Sequence, residues 1–397
     1  MVFSYLAQGC TVISGQTLRT SWQPLQDLAE IAMDWQQLEA DADGSFFVSW
    51  LWVRVWLQTY QPDLMVMRVF AADDLVGLAL FSCCFERRHR LIGSRVLRLH
   101  QTGVTSQDQI WIEYNTVLAR RGMTRQVDQA VLNGLLQWQQ WDELVLAGVD
   151  AHQAKQWQQA PLHRQIDWQQ PCFGVDLQAV RDSGQSYLAS LSANCRYQIN
   201  RSKRRYQQWG ELRLEQAQNV QQALQWFDAI SPWHQQRWGS EAGQSGFANP
   251  EFLAFHRALI MATWAEQSSK PAQAQQAPEG AELLTLMAGQ QHLATFYQLR
   301  YRNRIYFYLA GFRPELDKQL KPGLVGHSLC IEHYGRQGLA FYDFMAGDER
   351  YKRQLGQPHA VLCQLRLQHG RARFRLEAFA RQSKHKLRTL FGATSQQ

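Results

Sequence analysis

At 397 residues the chain exceeds what a single hydrophobic core usually organises, so two domains of about 150 to 200 residues each are expected. Hydrophobic residues at 45% and aromatics at 12%, with 15 Trp, exclude global disorder and favour globular domains with aromatic-lined clefts. Lys and Arg outnumber Asp and Glu by 41 to 34, a charge of +7 that suits anionic partners such as phosphates, CoA, RNA or acidic lipid.

The basic charge is concentrated. Residues 366–388 hold eight Lys and Arg against one acid, Glu377, and residues 196–205 hold five with no acid. Seven cysteines form no CxxC pair and accompany no His cluster at ligand spacing, so neither a disulfide framework nor a metal site is expected, and a reducing compartment fits. The first residues lack a basic region ahead of a continuous apolar run, and no later stretch approaches about 18 apolar residues, which predicts a cytoplasmic chain with no transmembrane segment.

In chain order, residues 45–60 read as an aromatic helix with Phe46, Phe47, Trp50, Val53 and Leu57 on one stripe, a core-packing pattern. Residues 64–70, 75–85 and 91–99 are strand-like runs bounded by turn residues, which predicts an antiparallel meander. Residues 108–115 place Asp108, Glu113 and Asn115 beside large aromatics. That composition suits recognition of a sugar or other polar acceptor, or else a solvated strand edge. Thr124 can cap a helix carrying Val127, Val131, Leu135 and Trp138, and residues 144–149 follow as a buried strand, an α/β crossover.

Turn chemistry at residues 181–185 places a junction near 180–186. Beyond it, Leu191, Cys195, Ile199, Ser202, Tyr206 and Trp209 share a helical face, leaving Arg196, Lys203 and Arg204 on others. In SPWHQQRWG, helical spacing brings His234, Arg237 and Trp238 together as a further acceptor patch, the alternative being a plain helix end. Asn249-Pro250 signals the start of a helix through Phe252, Phe255, Leu259 and Trp264. Residues 267–280, rich in Pro, Ala and Gln, read as a flexible insertion. Strands at 283–288, 293–301 and 305–309 follow, then a helix from Gly323 to about Arg336 and a last buried strand at 339–345. Both halves thus run helix, antiparallel strands, helix, strand, and mixed sheets covered by helices are expected.

The chemistry gathers in the final third. Lys321-Pro-Gly-Leu-Val-Gly-His327 opens a helix with small residues, whose free N–H groups and positive dipole end can hold a pyrophosphate. Lys321, Gly323, Leu324, Val325 and Gly326 are the candidates, and an ordinary Pro-Gly helix start is the alternative. Strand alternation puts Phe341, Asp343 and Met345 on one face and Tyr342 and Phe344 on the other. Asp343 then lies among apolar neighbours and must be paired, with Lys352 or Arg350 for instance, or be catalytic.

The segments SFFVSWLWVRVW (45–56), LSANCRYQINRSKRRYQQWG (191–210), Tyr306 to Gly311, the Pro322-Gly323 turn and FYDFMAGDERYKR (341–353) together resemble GNAT-superfamily acetyltransferases of the CelD-like, cellulose-biosynthesis type. These are relatives of the FemAB/FemX peptidyltransferases, and the resemblance covers about residues 35–356. It implies an α/β fold of tandem GNAT-like domains, 1–185 and 186–397, the second holding the donor site and a basic C-terminal segment, 366–397. It also implies acyl-CoA as donor, or aminoacyl-tRNA in the Fem branch. One departure stands out: the usual Q/R-x-x-G-x-G/A loop is only approximated by Lys-Pro-Gly-Leu-Val-Gly.

The activity implied is N- or O-acyl transfer to a small-molecule or glycan acceptor, with an envelope or exopolysaccharide precursor as the analogy. Amine or hydroxyl attacks a thioester, Asp343 or His327 acts as base, and Tyr351 acts as the acid for the leaving thiolate. Lys352 would assist the donor, and Glu113, Asn115, His234, Arg237, Trp238 and Tyr308 would contact the acceptor. A non-catalytic scaffold is the remaining alternative.

Overall fold

The computed structural model describes residues 7–13, 16–88, 92–158, 162–241, 243–269, 279–314, 317, 319–374 and 377. Most of the expected insertion at 267–280 and the basic segment beyond residue 377 lie outside the described residues.

Among the described residues, fourteen strands form one sheet. They are β1 Ala7–Ile13, β2 Gln16–Pro24, β3 Leu64–Ala71, β4 Asp74–Arg88, β5 Ile92–Leu99, β6 Leu118–Ala119, β7 Glu143–Asp150, β8 His163–Asp176, β9 Leu212–Gln216, β10 Gly280–Ala288, β11 Gln291–Tyr301, β12 Arg304–Phe312, β13 Phe341–Ala346 and β14 Gln357–Gln368. The spatial order is β1-β2-β3-β4-β5-β7-β14-β8-β13-β12-β11-β10-β9, with β6 joined to β4.

The two halves share one plan. The antiparallel meander β3-β4-β5 leads through helix Thr124–Trp138 to β7, which lies parallel to β5. The meander β10-β11-β12 likewise leads through helix Pro322–Arg336 to β13, parallel to β12. A helix is the natural link between parallel neighbours, because the chain must return along the sheet face.

The last strands of the two halves are exchanged. β8 follows β7 in the chain yet pairs with β13 and β14, while β14 follows β13 and pairs with β7 and β8. The sheet therefore runs unbroken past the junction expected at 180–186.

The aromatic run at 45–60 is not one continuous helix. Ser45 caps a short 3₁₀ turn, Phe46–Val48, and Ser49 then caps helix Trp50–Tyr60, each side chain accepting a backbone N–H. The segment is buried between the halves. Trp52 meets Phe47 at 4.8 Å and Phe255 at 4.7 Å between ring centroids, joining helix Trp50–Tyr60 to helix Pro250–Ser269. Edge-to-face aromatic pairs of this kind add to the burial of large rings. Similarly, the residues expected to share a helical face from Leu191 to Trp209 are not all on one helix: Ser192 caps helix Ala193–Gln207, and a separate short helix, Tyr187–Ser190, precedes it. Among the described residues no helix is long and apolar enough to cross a membrane.

Candidate active site

β12 and β13 run side by side for only three pairs, Arg304 with Phe341, Ile305 with Tyr342 and Tyr306 with Asp343. Two irregularities then pull them apart. Register with β11 skips Tyr308, making it the extra residue of a bulge, and Met345 takes φ +62° in a second bulge against β8. The strands open into a cavity of about 510 Å³, lined on one side by Phe307, Tyr308 and Leu309 and on the other by Phe344, Met345 and Ala346. Beyond Tyr306 the edge of β12 faces this space with no strand partner.

Helix Pro322–Arg336 starts at one end of the cavity, with Lys321 at its N-cap providing no side-chain cap. Lys321, Gly323 and Leu324 line the opening, so the first-turn N–H groups stand at its rim. Val325 and Gly326 do not reach it. They lie on the packed face, where a Cβ on Gly326 would come within 2.2 Å of the Phe296 ring. The helix thus sits as close to β11 as a side-chain-free residue permits.

Deeper in, Glu113 accepts a hydrogen bond from Ala346 N–H at 2.8 Å, and buried Lys352 donates to Ala346 O, a charge-assisted contact, while pairing with Glu349 at 3.1 Å. Burial raises the Glu113 carboxyl to about 7, against the lowering effects of Ala346 N–H and the Lys352 charge. Tyr351 lines the same space, its ring stacked on His327 at 5.4 Å, and burial pushes its hydroxyl well above the usual phenol range. His327 donates to or accepts from Tyr342 Oη at 3.1 Å, and burial with the nearby Lys352 charge lowers its ring to about 3. It is therefore neutral at pH 7 and a poor match for a general base there.

Several expected acceptor residues meet at the cavity's other side. His234, Arg237 and Trp238, from the last turn of helix Val220–Trp238, line it with Tyr308 and Trp111. Arg237 lies over the Trp238 ring at 5.1 Å, and His234 is 2.8 Å from Ser245 Oγ. Tyr308 donates to Ile110 O and lies 3.2 Å from buried His256.

Asp343 is placed outside the cavity. Its side chain is fully buried and accepts from Tyr114 Oη at 2.8 Å, Arg304 at 3.1 Å and Met345 N–H at 2.7 Å, with His359 Nε2 at 3.2 Å. The pairing partners are Arg304 and His359 and not Lys352 or Arg350, because the Met345 bulge turns the strand before those residues. So many donors make Asp343 an anchor for the parting of the strands. Asp343→Asn is expected to lower stability by about 2 to 3 kcal/mol, read from denaturant midpoints, since it leaves donors partly unmatched.

Asn115 also lies outside, at the counterpart of the fork in the first half, where the gap between strands is filled. β5 and β7 likewise pair only over Val96–Arg98 and Glu143–Val145, but residues 110–117 occupy the gap that follows. Asn115 N–H donates to Gly148 O at 3.0 Å, its Nδ2 donates to Leu99 O at 3.0 Å, and its Oδ1 meets His100 Nδ1 at 2.9 Å. Gly148, at φ +70°, makes room: a Cβ there would stand 2.4 Å from Ile112 O. This plug carries Trp111 and Glu113 out of the first half and into the cavity of the second. From the sequence, Glu113 is expected only as an acceptor contact. Its perturbed carboxyl comes from tertiary burial, which no local pattern reports.

Among the described residues no group of three or more His, Cys, Asp and Glu is arranged to hold a metal ion. Residues 193–353 match the acetyltransferase (GNAT) domain family, a stretch that includes most of the cavity lining. The chain is similar in structure to FemX, at 10% identity and TM-score 0.52, covering 86% of this chain and 96% of that one. It is similar also to L-PGS from Bacillus licheniformis, at 10% identity and TM-score 0.50, covering 87% and 93%. A tandem GNAT protein from the clavulanic acid biosynthesis pathway aligns at 12% identity and TM-score 0.45, covering 89% and 99%. No curated protein sequence matches the chain at a significant level. The fold is thus mixed α/β, with two halves built on one plan, and the match to the GNAT acetyltransferase domain family falls in the second half.

Proposed function

We propose that the chain is an acyl-CoA-dependent N- or O-acyltransferase with one donor site, in the second half, acting on a cell-envelope or exopolysaccharide precursor as its CelD-like resemblance implies. The observation that carries the reading is the open fork between β12 and β13, with a helix N-terminus at its rim and two proton-transfer groups of opposite character inside.

The donor's pyrophosphate would lie at the N–H groups of Gly323 and Leu324 beside Lys321, where the helix dipole favours negative charge. Its thioester would reach into the fork, and backbone N–H groups on the unpartnered edge of β12 would hold the developing oxyanion. Glu113, not Asp343 or His327, is the base: near pH 7 it is poised to take the proton from the attacking amine or hydroxyl. The nucleophile bonds to the acyl carbon, the C–S bond breaks, and Tyr351, held in its phenol form, gives its proton to the leaving thiolate. Glu113's proton passes to solvent and Tyr351 is reprotonated from it. His327 stacks under Tyr351 as its support, and Lys352 holds the Ala346 carbonyl at the end of the fork.

One observation favours aminoacyl-tRNA as an alternative donor. Helix Ala193–Gln207 carries Arg196, Arg201, Arg204 and Arg205, and Arg201 donates to Gln319 O at 2.6 Å, beside the donor rim. Thermal melts separate the two. Acetyl-CoA or a longer acyl-CoA is expected to raise the melting temperature while tRNA at low salt does not, and the opposite pattern would overturn the acyl-CoA reading. Tyr351→Phe is expected to slow release of free CoA thiol about 10²-fold with little change in stability.

A further inference from the structure

A second hollow adjoins the cavity, sharing Trp111 with it. It is lined by Arg98, Gln101, Gly103, Thr105, Ser106, Asp108 and Gln109 from the first half and by Gly243, Ala248, Asn249 and Pro250 from the second. Its charges are already matched. Arg98 pairs with Glu86, and Asp108 accepts from Thr102 N–H at 2.7 Å, Gly103 N–H at 2.9 Å and Thr102 Oγ1 at 3.1 Å. What is left over both donates and accepts: Arg98 Nε, which has no hydrogen-bond partner, and two side-chain amides. Gln101 is 8% exposed and its Oε1 accepts no hydrogen bond, while Gln109, whose Oε1 accepts from Asn249 Nδ2 at 2.8 Å, leaves its own Nε2 unpaired.

Unmatched buried amide groups destabilise a fold unless something satisfies them, so they mark a place for a ligand or ordered water. Trp111 supplies the other element. The residue is 41% exposed, its ring rests against Phe252 at 5.4 Å, and its φ of +44° is a strained backbone for a bulky side chain. A flat apolar ring flanked by unpaired donors and acceptors, beside an arginine whose charge is already balanced by Glu86, is complementary to a sugar ring, which offers C–H faces and many hydroxyls.

We propose that this hollow is an extended acceptor subsite that binds a neutral sugar unit, stacked on Trp111 and hydrogen-bonded by Gln101 and Gln109, next to the unit acylated in the main cavity. The subsite rests on the acyl-transfer reading for the identity of that neighbouring unit. Its occupant would span the seam between the halves, contacting the plug segment from one and the Asn249 turn from the other.

The test is saturation-transfer NMR on the full chain with cellotetraose, chitotetraose and maltotetraose as probes. At least one is expected to receive saturation on its ring protons, and Trp111→Ala is expected to weaken that binding about tenfold. Gln101→Leu provides a second variant with a distinguishing signature. Removing an unpaired buried carbonyl is expected to hold or raise the melting temperature while weakening sugar binding. Absence of saturation for all three sugars, or equal binding by wild type and both variants, would overturn the subsite. If acyl-CoA still protects against heat in that case, the transferase reading stands alone. Sugar binding without acyl-CoA protection would keep the subsite and remove the transferase.

Discussion

Replacing Glu113 by Gln is expected to lower kcat/KM for acyl transfer by about 10² to 10⁴, the usual contribution of a positioned general base. Gln keeps an oxygen for the Ala346 N–H, so the fork keeps its shape and only proton acceptance is lost. The pH dependence is diagnostic. The wild-type rate should rise with pH and level off above about 7, where the Glu113 carboxyl ionises, and this limb should be missing in the variant.

Stability should move the other way. The folded carboxyl at about 7 lies above its ordinary 4.5, so over that interval the native state holds a proton that the unfolded chain has released. Stabilisation from this group is complete below about 4.5 and is lost as pH rises through 7. Glu113→Gln should therefore melt no lower than wild type at pH 8, measured by calorimetry, while being nearly inactive. A lower melting point together with unchanged turnover would remove Glu113 from the mechanism.

Gly148→Ala is the second large effect. At φ +70° an added methyl is strained in itself, and here it would also press on Ile112 O at 2.4 Å and Glu113 Cα at 3.1 Å. The expected cost is about 2 to 4 kcal/mol in denaturant unfolding, the range of strain at a special backbone position. Because the methyl pushes on the segment that carries the base, turnover should also fall about 10²-fold even in the molecules that remain folded. Gly122 offers a matched control. It too has positive φ, +76°, but nothing lies within 4 Å of its Cβ, so Gly122→Ala should show backbone strain alone.

Much of the second half was legible because its signals are local. Asn249-Pro250 opens a helix where expected, Pro322-Gly323 opens another, and the three- and four-residue steps from His234 to Arg237 and Trp238 turn all three to one cavity. Asp343 was readable as a buried carboxylate in need of partners. Which partners could not be read, because Arg304 and His359 come from other strands and the Met345 bulge breaks the alternation from which direction is inferred.

β8 and β14 left a weaker mark. Their sequences, HRQIDWQQPCFGVD and QPHAVLCQLRLQ, are rich in Gln and contain Pro, a composition that argues against strands in the middle of a sheet. They are held there by each other and by β7 and β13, through pairings far apart in sequence. The plug is hard to read for a related reason. Asn115 looks like a polar residue awaiting a ligand, yet its partners are Leu99, His100 and Gly148 of its own half.

The exchanged strands also set an order on how the molecule can be made. β7 keeps an open edge until β14, ending at Gln368, has left the ribosome, and β8 waits for β13 in the same way. A nascent first half is therefore a sheet with an unfilled seat, exposed to pairing with the wrong strand of a neighbouring chain. When the seat is taken, the two halves become mutually threaded, so a chain cut near residue 185 would leave two fragments that must find each other before either is complete.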